Sequence, residues 1–344
     1  MRQILNTLYV MTPHAYVHLE NDTLRIDVER QKKMQVPLHH LGSVVCFGNI
    51  LVSPALMHRC ADDGISLVLL DDNGRFKARL EGGTSGNILL RQTQHRRAMD
   101  EQFTLATAQA MIAGKLRNSR QVLMRGAREA DDSGDCEILS TAAESLARSI
   151  RNLPTISSLD TLRGFEGDAA KVYFSALPSL VRPNIREHFA MNGRSRRPPR
   201  DRFNALLSFL YSMVMNDCRS ALESVGLDPQ LGFLHAVRPG RAALALDLME
   251  EFRAIFADRL ALTLVNRGQI TFRDLREREG GAVYLEGEAR KAVVIAYQER
   301  KQEQITHPLL QTKVSVGLLP QLQARFLART IRGEIEGYVP FLVK

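Results

Sequence analysis

Glu166 places a carboxylate on what otherwise reads as the apolar stripe of a helix. In Leu162-Arg163-Gly164-Phe165-Glu166-Gly167-Asp168-Ala169-Ala170, helical spacing sets it one turn after Leu162 and one turn before Ala169 and Ala170, with Tyr173 two turns on. A charge there needs a cation, a hydrogen-bond donor or an open cleft to offset its desolvation. Gly164 and Gly167 flank it, each at about 1 kcal/mol of lost helix propensity relative to Ala, which suggests that another backbone or a ligand comes close. A semi-exposed glutamate near a helix end is the plainer account. His235 ends the run Gly232-Phe233-Leu234-His235, and alone it reads equally well as a satisfied structural histidine. Further on, Asp247, Glu250 and Glu251 in Asp247-Leu248-Met249-Glu250-Glu251-Phe252-Arg253 are three and four positions apart and so project from one helix face. Stacked like charges repel unless something positive lies opposite: either a bound cation, or Arg253 balancing a surface cluster.

Taken together, Glu166, His235 and the Asp247/Glu250 pair offer two or three oxygens and one imidazole nitrogen. That donor set suits Mg²⁺ or Mn²⁺ better than a thiol-loving metal. In a basic chain, hard cations and carboxylates point to phosphoryl transfer, the metal polarising a phosphate oxygen and lowering the pKa of a water or a sugar 3′-hydroxyl. Spacing alone does not bring these residues together. No G-x-x-x-x-G-K-[ST] or G-x-G-x-x-G motif and no nucleophile elbow occurs, so neither a nucleotide cradle nor a serine hydrolase is signalled. His39-His40 reads as an exposed pair in a strand or at its end, and His188 and His307 receive no role.

The formal net charge is +8 and the pI about 9.5, which favours acidic partners such as nucleic acid. Seven arginines (182, 186, 194, 196, 197, 200 and 202) fall between Arg182 and Arg202 against Glu187 and Asp201. They are either a loop that grips a phosphate backbone or a solvated charged loop. Asn204 opens the next helix, where its amide caps the helix or turns toward the metal residues. Cys46, Cys60, Cys136 and Cys218 stand far apart with no C-x-x-C pair, as free thiols of a reducing compartment would. No apolar run is long enough to span a membrane, and the expectation is a soluble cytoplasmic protein.

These residues need elements to hold them. Up to about residue 80 the chain reads as short strands: Ala15 to Leu19 and Leu24 to Val28 around Asn21-Asp22, then Val44 to Phe47, Ile65 to Leu70 and Phe76 to Leu80. One helix interrupts them, with Ser53 as N-cap and Pro54 at its first position, running to about Asp63. Glu81 to Asn87 is rich in Gly and small polar residues and reads as a linker. Helical spacing then covers 88–112, 136–153, 158–176, 203–225, 244–265 and 320–338, with a loop at 192–200. The fold class expected is α+β in two domains: β-rich residues 1–81, a linker and helix start at 82–95, and a mainly α-helical catalytic domain at 96–344.

The sequence resembles the integrase of CRISPR adaptation, Cas-one, over essentially its whole length. The match is carried by 162–170, by Arg197 to Tyr211 (RPPRDRFNALLSFLY), by Leu231 to His235 with Leu246 to Arg253 (LDLMEEFR), and by the tail. In the tail the matching residues are His307-Pro308-Leu309-Leu310, Gln323-Ala324-Arg325 and Tyr338-Val339-Pro340-Phe341. The wording of the tail and N-terminus looks most like the type I-C branch. The resemblance implies that Glu166, His235 and Glu250 hold Mg²⁺ or Mn²⁺ and that Asp247 lies beside the metal and assists. Asn204 and Tyr173 would line the same site, and Arg194, Arg196, Arg197 and Arg200 would hold DNA. It further implies a homodimer formed through the β-rich domain and a small ferredoxin-like second adaptation protein that completes a heterohexamer. The implied reaction joins short duplex DNA to the CRISPR repeat by 3′-hydroxyl attack on a phosphodiester. A general metal-dependent nuclease is the nearest rival, and a non-catalytic DNA-binding scaffold the rival of another class. Glu251, about 100° round the helix from Glu250, is expected to take no part in metal binding.

Overall fold

The protein is described here from a computed structural model covering residues 7–82, 88–196 and 198–343. Most of the expected linker (83–87) and Arg197 lie outside the described residues. The chain divides into two compact units, Met1–Gly86 and Asn87–Lys344.

The first unit holds β1 (Thr7–Val10), β2 (Tyr16–Glu20), β3 (Thr23–Val28), β4 (Gln31–Pro37), β5 (Ser43–Phe47), β6 (Leu51–Val52), α1 (Pro54–Asp63), β7 (Ser66–Leu70) and β8 (Phe76–Arg79). The strands form two sheets in the orders β4-β3-β2-β6 and β1-β5-β7-β8. Asn21 adopts φ 55°, giving the tight turn that pairs Glu20 with Thr23. β5 and β7 run parallel, which accounts for their uninterrupted apolar runs, buried as inner parallel strands are. β4 escapes a periodicity argument because it is an edge strand: Gln31, Lys32, Lys33 and Met34 are all exposed. Ser53 Oγ accepts the Leu56 amide at 3.2 Å and starts α1, which packs Leu56 and Cys60 onto Val17, Leu24, Val44 and Leu67. His39 and His40 lie exposed in one 3₁₀ turn after β4.

The second unit is mainly helical: α2 (Ile88–Met99), α3 (Glu101–Glu129), α4 (Ser133–Asn152), α5 (Leu159–Ala176), α6 (Pro183–Arg186), α7 (Arg202–Ser224), α8 (Ala243–Met249), α9 (Arg259–Asn266), α10 (Gly287–Gln302) and α11 (Leu319–Arg332). Two small hairpins accompany them, β9 (Leu275–Arg278) with β10 (Ala282–Leu285) and β11 (Gln304–Thr306) with β12 (Lys313–Ser315). The architecture is α+β, β-rich first and helical after. Two expected helices are broken. The one over 88–112 stops at Asp100, whose carboxylate accepts the Phe103 amide at 3.0 Å and so begins α3. The one over 244–265 breaks after Met249. There the Glu250 amide donates to Asp247 O (3.2 Å) and the Phe252 amide to Met249 O (2.9 Å), both i→i+3 bonds of a tightened turn. A widened π-helical turn, Arg253–Asp258, then leads into α9; such insertions concentrate at functional sites.

The carboxyl tail secures this break. Buried Glu251 accepts hydrogen bonds from the Tyr338 hydroxyl, the Phe341 amide and Gln323 Nε2. Asn118 on α3 donates through Nδ2 to Glu251 O and Phe341 O, each at 2.8 Å, and accepts from the Val343 amide at 3.0 Å. Pro340 passes so near α3 that a Cβ on Gly114 would lie 2.6 Å from the proline Cβ. The helix expected to reach Tyr338 ends at Arg332, with Gly333 at φ 78°, which frees the following residues to make these bonds.

Gly114→Ala gains about 1 kcal/mol of helix propensity but drives a methyl into a rigid ring, and overpacking of this kind costs about 1–3 kcal/mol. The expected net result, read by urea unfolding, is a loss of stability; a gain would mean that the tail does not pack there. Burial pushes the Glu251 carboxyl up to about 8, against the three donors that pull it down. Because the folded value lies above the unfolded one, the folded state binds more protons between about pH 4.5 and 8, and stability falls as pH rises through that window. Wild type should lose stability there at up to about 1.4 kcal/mol per pH unit, and Glu251→Gln should show a flatter profile in thermal melts.

Candidate functional site

α3 supplies a residue that the spacing argument passed over. Ala108, Met111, Ile112, Lys115, Ser119 and Val122 recur along one buried face of this helix, so Lys115 is an ammonium on an apolar stripe and needs an anion. It has two. Its Nζ donates to Glu166 Oε1 and lies 2.8 Å from Glu250 Oε2. Glu166 is carried by α5, which Ser158 begins by accepting the Thr161 amide at 3.2 Å. Glu250 stands in the tightened turn after α8, where Arg253 reaches its other oxygen, Oε1, at 3.0 Å. Burial alone would raise the Glu250 carboxyl, but the adjacent cations Arg253 and Lys115 outweigh it and hold it at about 2. It is therefore a full carboxylate at neutral pH.

His235 Nε2 faces Glu250 Oε1 at 3.8 Å. Its other nitrogen, Nδ1, bonds Asp247 Oδ1 at 2.6 Å. Asp247 is wholly buried and also accepts the amides of Phe233 (2.6 Å), Leu234 (3.0 Å) and His235 (2.9 Å). An ionised carboxylate only accepts hydrogen bonds, so in the neutral ring Nδ1 carries the hydrogen and Nε2 presents its lone pair toward Glu250. A side chain at Gly232 is excluded by the same approach: a Cβ would lie 2.6 Å from Asp247 Oδ2 and 2.8 Å from the Ala243 carbonyl carbon.

The structure thus connects Glu166, His235 and Glu250 through Lys115 and Glu250, and it puts Asp247 behind the histidine. It corrects the picture of Asp247, Glu250 and Glu251 as one stacked helix face or a surface cluster. All three are buried, and the break after Met249 sends them to three destinations: the 233–235 backbone, the Lys115/Arg253 cations, and the tail. Of the two expectations for the glycines beside Glu166, a close neighbouring backbone is not found among the described residues: outside their own helix, a Cβ at Gly164 or Gly167 would meet nothing within 4 Å.

Among the expected DNA-contacting residues, Arg196 and Arg200 are exposed. Arg194 turns inward: Nη1 donates to Asn204 Oδ1 at 2.6 Å, Nη2 to Ser208 Oγ at 3.1 Å, and the guanidinium lies over the Tyr211 ring. Asn204 is fully buried and donates to Gly193 O at 2.9 Å and Asp201 Oδ2 at 2.6 Å. Tyr173 gives its hydroxyl to Asp258 Oδ2 at 2.9 Å, and Tyr211 gives its own to Oδ1 at 2.7 Å. Burial lifts the Asp258 carboxyl to about 6 despite those two donors. Asn204 and Tyr173 therefore spend their polar groups inside the protein. His188 stacks on Phe272, and buried His307 sits against Phe326 and Phe341.

Among the described residues, no group of three or more His, Cys, Asp and Glu side chains is gathered as a metal site; the ammonium of Lys115 bridges two of the carboxylates instead. The donors nonetheless fit a hard divalent cation. Two ionisable carboxylates face one position, and an imidazole lone pair is aimed by a carboxylate on its far nitrogen, as metal-binding histidines are. Sequence reasoning missed Lys115, Tyr211 and Asp258. For Lys115 the signal was present, as a lone lysine within the apolar face of α3. No helix among the described residues is long and apolar enough to cross a membrane.

Residues 8–299 match the family model described as CRISPR associated protein Cas1. CRISPR-associated endonuclease Cas1 1 of Moorella thermoacetica is 55% identical over 344 residues, covering 100% of both chains. A CAS1 protein from Thermotoga maritima has a similar fold, with TM-score 0.82 at 22% identity over 97% of this chain and 98% of that one. A chain of a Cas6-RT-Cas1--Cas2 complex gives TM-score 0.83 at 22% identity over 97% of this chain. This chain spans 36% of that longer polypeptide. On the strength of the family match and the full-length identity, the chain belongs to the Cas1 family of CRISPR-associated endonucleases.

Proposed function

We propose that Glu166, His235 and Glu250 hold Mg²⁺ or Mn²⁺ and that the chain joins short duplex DNA to the edges of the CRISPR repeat by attack of a DNA 3′-hydroxyl on a phosphodiester. The observation that carries this reading is the convergence of the two carboxylates on one cation position, with His235 Nε2 directed at the same glutamate by Asp247. A divalent ion bound there supplies Lewis acidity to a phosphate oxygen and favours ionisation of the attacking hydroxyl. The protein's part is positional. Asp247 and three backbone amides fix the imidazole, and Arg253 keeps Glu250 ionised. The open surface at Gly164 and Gly167 leaves room beside Glu166 for a DNA strand. Arg196 and Arg200 contact phosphates, while Arg194 and Asn204 brace the loop that presents them.

Residues 96–344 act as the catalytic domain, and the β-rich domain (1–81) forms a homodimer. A small ferredoxin-like partner completes a heterohexamer on double-stranded DNA; the similar chain in the Cas6-RT-Cas1--Cas2 complex supports a partner of that kind. The tail and N-terminal wording favour the type I-C branch, and four free thiols suit the cytoplasm.

The test is strand transfer of a labelled duplex with 3′-hydroxyl ends into a supercoiled repeat-bearing plasmid, with Mn²⁺ and the small partner. Glu166→Ala, His235→Ala and Glu250→Ala should each reduce joining on the order of 10²-fold or more. Nicking without joining, lost in the same variants, would keep the site and make the protein a plain nuclease. Joining that survives all three would overturn the site. Separately, replacing Arg196 and Arg200 by Ala should lower the slope of log binding constant against log salt by about 0.9 for each phosphate no longer neutralised. An unchanged slope would remove these arginines from the DNA interface.

A further inference from the structure

The chemistry proposed above gives no part to Lys115, yet its ammonium sits between the two carboxylates that chemistry uses. Its side chain is 10% exposed, and its ammonium bridges Glu166 and Glu250. Arg253 engages only Oε1 of Glu250, so Lys115 neutralises the oxygens that Arg253 leaves. Without a cation between them, the two carboxylates would repel across a poorly hydrated gap. With a divalent ion between them, an ammonium in contact with the same oxygens would face repulsion from two extra positive charges. Lysine and metal ion are therefore alternatives for one seat.

The surroundings offer the lysine somewhere else to go. A cavity of about 20 Å³ opens beside its side chain, bordered by Ala169, Ala170, Tyr173, Tyr211, Arg253 and Asp258. That is room for roughly one water-sized group, the size of an ammonium head. Asp258 on its wall accepts one hydrogen bond on each oxygen, from Tyr173 and Tyr211, and a carboxylate has about four acceptor sites. Lysine, with a flexible four-carbon stem, suits two seats where arginine's rigid fork does not.

We propose that Lys115 is a resident counter-cation of the metal site: it holds Glu166 and Glu250 in place when no divalent ion is present, and withdraws toward Asp258 when one binds. This rests on the metal reading above. Lys115 is then a positioning residue that keeps the empty site folded and ready, and its occupancy reduces apparent metal affinity in proportion to the fraction of molecules in which it has already left the seat.

The experiment is Mn²⁺ titration of the full chain followed by electron paramagnetic resonance, with thermal melts in EDTA, for wild type and Lys115→Met. The methionine retains the length of the stem and removes the charge. The variant should melt at a lower temperature in EDTA and bind Mn²⁺ roughly tenfold more tightly or better. Unchanged or weaker Mn²⁺ binding by a folded Lys115→Met, with normal binding by wild type, overturns the counter-cation role alone. A wild type that binds no Mn²⁺ overturns this role and the metal reading together. Should the variant not fold, crystal structures of wild type with and without Mn²⁺ decide. Nζ bridging both carboxylates only in the metal-free crystal supports the proposal, and Nζ in the same place in both crystals overturns it.

Discussion

Asp247, Glu250 and Glu251 are each 3% exposed or less, within five residues of chain. A buried acid left without hydrogen-bond partners is costly whether or not it is ionised, so this short segment folds where three separate sets of donors meet it. Backbone amides of Phe233, Leu234 and His235 serve Asp247; Lys115 and Arg253 serve Glu250; Tyr338, Phe341 and Gln323 serve Glu251. These donors lie on α3, on the loop before α8, on the π-helical turn, on α11 and on the tail. Satisfying the acids therefore draws together segments more than a hundred residues apart in sequence, and the site is assembled in the course of it.

A second buried acid organises the wall beside the site. Asp258, in the π-helical turn, takes the hydroxyls of Tyr173 and Tyr211, and Tyr211 carries the guanidiniums of Arg194 and Arg253 over its ring at 5.1 and 5.0 Å. Arginine stacks well on such faces. The basic segment around 192–200 is thereby split in function. Arg194 and Asn204 pin its root to α7, while Arg196 and Arg200 remain outside.

The glycines show how close approach, rather than flexibility, selects the residue. Gly232 exists because Asp247 Oδ2 comes within 2.6 Å of where its Cβ would be, and Gly114 because Pro340 does the same. Gly164 and Gly167, beside the one partly exposed carboxylate of the set, border open space instead. Glycines thus serve two ends, internal packing in one pair and an open surface in the other.

Much of this was legible in the chain alone. Turn residues, caps and the change from period 2 to period 3.6 gave the α+β order, with Ser53 just before α1 and Ser158 just before α5, because those signals act over a few neighbouring residues. The candidates Glu166, His235 and Glu250 were readable as polar groups in apolar settings. What spacing could not deliver was direction. A regular helix would have kept Asp247, Glu250 and Glu251 on one face; the turn at Glu250 to Phe252 and the π-helical turn after it separate them, and that break depends on donors from Asn118 and the tail. The inward turn of Arg194, Asn204 and Tyr173, and the place of Lys115 between two glutamates, likewise depend on residues brought close only by packing. Local sequence determines which groups are present and which elements carry them, whereas the cost of burying charge, settled over the whole tertiary structure, decides which groups meet.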